Sequence, residues 1–216
     1  FVTADVQYAY KRYKLFDEAF LQNEFAVPYH FFNPRFGINF NLNNSVNLYT
    51  NLSRTTREPR LKNLYDAAEA STPADWGAVL PQFETNPDGS FDFEAPLVKP
   101  EKLVDIELGA GFRSSRFSGS ANLYYMDFRD EIIKKGGLDR FGQPITGNAE
   151  HTVHTGIELS GRWQMLPQLA LNGNALISQN ELKSYRVFEN GSAPQVLDGN
   201  PIAGFPNTLA NLRLTY

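Results

Sequence analysis

The chain has no cysteine, which removes thiol chemistry and any disulfide framework. It has no long apolar run: nothing approaches the roughly 18 residues of a membrane-spanning helix, so a helical membrane protein is excluded. It has no excess of cations, with 20 Lys and Arg against 24 Asp and Glu and a formal net charge of −4. No basic stripe gathers on one face, which argues against a nucleic-acid partner. No G-x-S-x-G elbow or other nucleophile context accompanies its Ser, His and Asp residues, so nothing marks it as an enzyme and no motif asks for a cofactor. No repeat of about 20–50 residues suggests a propeller. The chain opens at Phe1 in mid-strand, without an initiator methionine or a signal peptide. That is the pattern expected of a piece of a larger protein.

What the chain does have is alternation. Val104, Ile106, Leu108, Ala110 and Phe112 alternate with Asp105, Glu107, Gly109 and Gly111. After Ser114 and Ser115, Phe117, Gly119, Ala121, Leu123 and Tyr125 alternate with Ser118, Ser120 and Asn122. Period two means strand, and so small and hydrophilic a face does not meet a dry core. One side of the sheet therefore meets apolar surroundings and the other meets water, as the wall of an outer-membrane β-barrel requires. The pattern recurs at Val2–Lys11, Arg35–Leu42, Val46–Ser53, His154–Trp163, Leu169–Ser178 and Asn211–Tyr216. About eight such segments result, each near the roughly 9–11 residues that a tilted strand needs to cross a bilayer. The negative mean hydropathy fits, because half of each strand faces water. Tyr8, Tyr10, Tyr13, Phe31, Phe32, Tyr124, Tyr125 and Phe128 crowd strand ends, which suits rings at a membrane interface. An ordinary β-sandwich core is the plainer source of such residues.

Loop lengths are sorted. Asn43-Asn44, Ser114-Ser115 and Leu166-Pro167 make minimal connections. The others, Leu15–Tyr29, Thr56–Pro100, Glu131–Glu150 and Lys183–Gly204, run to about fifteen, forty-five, twenty and twenty residues, where compact domains use about 4–6. Short and long strictly alternate. An up-and-down barrel with short periplasmic turns and long extracellular loops produces that order directly.

On these residues the chain resembles a known family. Asn33-Pro-Arg-Phe-Gly, followed by Leu48-Tyr49, Ser53-Arg54, Arg57, Pro59 and Leu64-Tyr65, is similar to the mid-barrel segment of TonB-dependent outer-membrane receptors. So are Val98-Lys99-Pro100-Glu101 with Glu107 and Gly109, Leu123-Tyr124-Tyr125 with Phe128, Asn148 with Gly156 and Glu158, and Phe205-Pro206-Asn207 before the last strand. The order and spacing of these weak motifs cover Asn33 to Tyr216, and the first thirty residues match by alternation alone. The resemblance implies an all-β, antiparallel, up-and-down transmembrane β-barrel segment of about eight strands within a 22-stranded barrel. Residues 1–216 would then form part of one barrel domain, with the plug domain, the TonB-contacting segment and the closing strands lying elsewhere in the parent protein. It implies a bacterial outer-membrane receptor that actively takes up a scarce nutrient such as a siderophore, cobalamin or a glycan. Its partners would be outer-membrane lipid, the TonB energy-transducing complex reached through the missing N-terminal part, and the nutrient.

Candidate sites compete with plainer readings. Pro34-Arg35 and Pro100-Glu101 sit where strands begin, where proline removes a donor only at an edge. Glu107, Glu158, Arg35 and Arg162 point to the lumen, where a charge stays hydrated and so does not by itself mark a site. His151 and His154 have H-x-x-H spacing, yet three residues along a strand place two side chains on opposite faces, which opposes a shared metal. Asp88-Gly89, Asp92 and Glu94 read better as a turn than as a calcium loop. Lys134-Lys135-Gly136-Gly137 reads as a solvated loop tip. The long loop carries Arg57, Arg60, Tyr65 and Trp76 with Phe83, Phe91 and Phe93, and its position above a rigid wall makes the first four the candidate ligand contacts. The alternatives are a self-contained eight-stranded outer-membrane barrel with a structural or adhesion role, or a rim hydrolase built on a Ser–His pair at His151 or His154.

Overall fold

In a computed structural model the chain is an antiparallel sheet of eight strands. The structure describes residues 1–19, 22–65, 81–138, 144–187 and 194–216, with side chains at 135–138 and 144–145 left aside. In chain order come β1 (Val2–Leu15), β2 (Phe25–Asn41), β3 (Val46–Arg57), a single helical turn α1 (Leu61–Leu64), β4 (Phe83–Thr85), β5 (Phe91–Pro96), β6 (Glu101–Arg113) and β7 (Phe117–Leu138). They are followed by β8 (Pro144–Leu166), β9 (Leu169–Ser184), β10 (Arg186–Val187), β11 (Gln195–Val196) and β12 (Thr208–Thr215). The sheet order is β1-β2-β3-β6-β7-β8-β9-β12, while β4-β5 and β10-β11 are separate hairpins within loops. Among the described residues β1 pairs only with β2 and β12 only with β9, so the sheet is open at both edges.

The two faces divide as the alternation requires. Leu108, Leu123 and Ile157 stand side by side in register on one face, 55%, 51% and 42% exposed despite lying on central strands. Such a face needs apolar surroundings. The opposite face is laced by hydrogen bonds: Asn51 donates to Glu107 Oε2 at 3.2 Å, Ser120 and Ser160 share one at 2.8 Å, and Asn211 donates to Asn174 at 2.9 Å. Glycine on this face makes room for tyrosine across the strand. A Cβ on Gly109 would fall 2.0 Å from Tyr49 Cζ, and one on Gly156 would fall 2.6 Å from Tyr124 Oη. Gly109→Ala should therefore cost about 1–3 kcal/mol of overpacking in the intact protein. In urea unfolding the double variant Gly109→Ala/Tyr49→Ala should recover much of that loss, and strictly additive costs would show that the ring does not occupy the glycine's space.

The turns sort the loops to two rims. Asn43 Oδ1 accepts from Ser45 N at 2.8 Å and Val46 N at 2.9 Å, closing β2 onto β3. Ser114 N donates to Phe117 O at 2.7 Å between β6 and β7, and Pro167-Gln168 joins β8 to β9. In an up-and-down sheet these three turns share one rim and the long connections share the other. One of the long connections, Glu131–Glu150, is largely strand. β7 runs to Leu138 and β8 starts at Pro144, so Lys134, expected at a loop tip, pairs with Thr146. The wall thus continues past its apolar band on the long-loop side.

Candidate functional site

At the long-loop end the inner face of β2 changes character. Below Asn33 it carries Arg35, Gly37 and Asn39; above it stand Phe31, Tyr29, Val27 and Phe25, all buried. The cause is the β3–β6 connection, which folds inward over them. Leu64 and Tyr65 at the end of α1 and Phe83 of β4 are 0%, 3% and 2% exposed, and Phe93 joins them. Ring centroids lie 5.0 Å apart for Phe25–Phe83 and 5.1 Å for Phe83–Phe93. At the polarity switch Asn33 Oδ1 accepts from Thr56 N at 3.0 Å and Thr56 Oγ1 at 2.8 Å. The period-two spacing of Phe25, Val27, Tyr29 and Phe31 was the available signal for this cluster, but these residues straddle a stretch otherwise read as loop.

A second cluster covers the far strands. Ile133, Ala149, Leu182, Tyr185 and Ile202 are buried together. The β9–β12 connection reaches it by folding back on β9: Ile202 N donates to Asn180 O at 3.0 Å and Leu182 N to Asn200 O at 2.9 Å. Beneath it lies a buried polar group. Asp130 has a left-handed backbone (φ 56°), after which Glu131 meets the inner-face residues Thr152 and His154. His154 Nε2 is 3.1 Å from Glu131 Oε2 and Nδ1 is 2.8 Å from Asn180 Oδ1, and Phe128 and Phe205 stand edge-on to the ring at 5.2 and 4.8 Å. No motif in the sequence links Glu131 to Asn180, which the fold brings together across β8.

Polar struts tie the two clusters into one rim. Arg57 Nη2 donates to Glu101 Oε2 at 2.8 Å, the same oxygen that accepts Ile132 N at 3.1 Å. Asn148 Nδ2 donates to the Lys99 and Asp130 carbonyls at 2.9 and 2.6 Å, and Asn63 Nδ2 to Thr146 Oγ1 at 2.7 Å. Together these brace the long-loop rim into a vestibule above the wet inner face, its apolar side chains packed within the two clusters and charged side chains exposed at its margin.

Of the candidate ligand contacts, Arg57, Arg60 and Tyr65 fall into this rim. Arg57 is exposed beyond its bond to Glu101, and Arg60 is exposed just ahead of α1. Tyr65 is enclosed in the first cluster, where burial, with Glu18 nearby, pushes its phenol up to about 12. Trp76 lies outside the described residues. His151 and His154 do face opposite sides: His151 Nε2 lies 2.8 Å from Asp127 on the outer face. Ser184 stands opposite His151 in register, yet its hydroxyl donates to Glu150 Oε2 at 2.7 Å, so no Ser–His pair forms there. Asp88 accepts from Ser90 N at 2.9 Å and Ser90 Oγ at 2.6 Å and Gly89 has φ 86°, so this segment is the turn between β4 and β5. Those two bonds also hold the Asp88 carboxyl below its ordinary range.

Comparison with known proteins agrees with this geometry. The family model described as "TonB dependent receptor-like, beta-barrel" matches residues 2–216. No curated protein matches the chain in sequence. Among solved structures, the copper transporter OprC is similar with a TM-score of 0.67 at 15% identity, covering 100% of this chain and 29% of its own. The ferric yersiniabactin uptake receptor FyuA of Yersinia pestis gives 0.58 at 15% identity, covering 99% and 28%. The alcaligin outer-membrane receptor FauA of Bordetella pertussis gives 0.55 at 16%, covering 100% and 31%. The chain therefore spans less than a third of the length of each of these receptors. With eight antiparallel strands, one wet and one apolar face and a family match along almost its whole length, it belongs to the TonB-dependent receptors, as part of their β-barrel.

Proposed function

We propose that the parent protein is a bacterial outer-membrane receptor that takes up a scarce nutrient in a TonB-dependent manner, the nutrient being a metal chelate such as a siderophore complex, cobalamin, or a glycan. The family match over residues 2–216 carries this reading. The names of similar receptors, which specify copper, ferric yersiniabactin and alcaligin, favour a metal or its chelate. In this reading the eight strands are a sector of a 22-stranded barrel, and the plug and TonB-contacting segment belong to other parts of the parent chain. Arg57, Arg60 and Trp76 contact the ligand, and Tyr65 holds their loop in place. Binding energy comes from the vestibule, and movement through the barrel comes from force on the plug, so this sector supplies wall and loops and no chemistry.

Cells expressing the parent protein should accumulate at least one of a panel of labelled ferric siderophores, cobalamin and oligosaccharides, and should lose that uptake when TonB is removed. Uptake that persists without TonB, or none for the whole panel, would overturn the reading. Topology is a separate expectation. A cysteine at Asp88 in the intact receptor should react with an impermeant maleimide on whole cells, and one at Ser114 should not. The opposite pattern would invert the two rims.

A further inference from the structure

The inner face buries a titratable pair that neither the wall nor the candidate ligand contacts call for. Glu131 and His154 have side chains 8% and 5% exposed, and Phe205 of the β9–β12 connection stands against the imidazole. A chain of hydrogen bonds leads from this pair into that connection. Pro206 O can only accept, so Ser178 Oγ donates to it at 3.0 Å and takes its own bond from Asn180 Nδ2 at 3.1 Å. That turns Asn180 Oδ1 toward the ring, 2.8 Å from His154 Nδ1, which must therefore be the donor. On its other side His154 Nε2 faces Glu131 Oε2 at 3.1 Å, an oxygen that also takes the Thr152 hydroxyl. A second proton lies on that line, and it belongs to the pair whichever of the two atoms owns it. Every bond from the ring to Pro206 thus runs in one direction.

Losing one proton breaks that direction. The carboxylate keeps the proton that faces it, on Nε2, so the bare nitrogen is Nδ1, which then meets Asn180 Oδ1 acceptor to acceptor. Turning the amide over gives Nδ1 a donor but points Oδ1 at Ser178 Oγ, whose single hydrogen cannot serve both Asn180 and Pro206. The charged groups on the packed elements are few. β7 contributes Glu131 beside Phe128, while β9 and the connection contribute Asn180 and Phe205. Asp105 of β6 stands in the same row beyond Met126, and Lys134 Nζ comes within 3.8 Å of where a Cβ on Gly204 would stand. The Asp127–His151 and Glu181–Lys183 pairs lie on the outer face.

We infer that the Glu131–His154 pair is a pH-sensitive latch on the β9–β12 connection, closed while the pair holds its second proton and released when that proton passes to water. The latch is shut at acid pH and opens as the pH rises, because imidazole is the side chain that titrates nearest neutrality. It depends on the fold and not on which nutrient the receptor transports.

The test uses the intact receptor, made otherwise free of cysteine and carrying a nitroxide on Ala203→Cys, an exposed position of the connection. Electron paramagnetic resonance should show a largely immobile label at about pH 5.5, and at about pH 9 a mobile-to-immobile ratio roughly tenfold higher, as expected for losing one hydrogen bond to a charged group. His151→Gln, on the outer face, should keep that transition. His154→Gln should abolish it, leaving one ratio at both pH values. Ser178→Ala cuts the chain without touching a titrating group, so its label should be mobile at both. Heat-modifiable gel mobility first establishes that each variant is folded, and if His154→Gln is not, Ser178→Ala decides. A wild-type label equally immobile at both pH values, a transition that survives in His154→Gln or Ser178→Ala, or one lost in His151→Gln would overturn the latch.

Discussion

Leu108→Arg should cost the receptor about 2–4 kcal/mol of folding stability, while Glu107→Arg one residue away should cost much less. Leu108 is the middle of five outward-facing apolar residues on β6, flanked in register by Thr50 and Leu123, so its side chain sits near the centre of the apolar band. An arginine there has no water and no partner within one side-chain length. Glu107 faces the wet side, where it accepts one hydrogen bond from Asn51. Losing that bond is an effect of about 1 kcal/mol, and the new charge stays hydrated. Refolding of the intact receptor into vesicles, followed by urea titration, measures both costs. Equal losses would mean that the two faces of the sheet do not differ in their surroundings.

Glu131→Ala should be at least as damaging, for a different reason. Glu131 and His154 have side chains 8% and 5% exposed, and the same carboxylate oxygen receives Thr152 Oγ1. Removing the acid leaves a buried imidazole and a buried hydroxyl without their acceptor, a loss of about 3–5 kcal/mol when a buried pair is broken. Asp127→Ala breaks the partly exposed His151 pair on the outer face, which water still reaches, and should cost only about 0–1 kcal/mol. The larger loss should also be seen locally. His154 carries Phe205, and Asn180 carries Ile202, so the β9–β12 connection should loosen and trypsin should cut at Arg186 more readily in Glu131→Ala than in Glu131→Gln. If Glu131→Ala leaves both the unfolding midpoint and the cleavage rate unchanged, the buried group does not hold the loop.

These two experiments probe different layers of information. The alternation of Val104–Phe112 against Asp105–Gly111 determined strand, face and lipid exposure, because side-chain direction in a strand depends only on parity. Minimal turns at Asn43, Ser114 and Pro167 determined the up-and-down order, because a few residues between strands leave no other way back. Neither rule reaches the long connections. Phe25, Val27, Tyr29 and Phe31 occupy the parity of the wet face, and only the β3–β6 connection folding over them explains why that face turns apolar there. Glu131 has the parity of the outer face, and the left-handed Asp130 delivers it inward to His154. Asn180 joins that group from 49 positions further along the chain, through pairing of β8 with β9. Local pattern thus wrote the wall of this protein, whose two solvents differ at every residue. The vestibule was decided by tertiary packing, since its contacts join residues whose separation along the chain carries no periodicity to read.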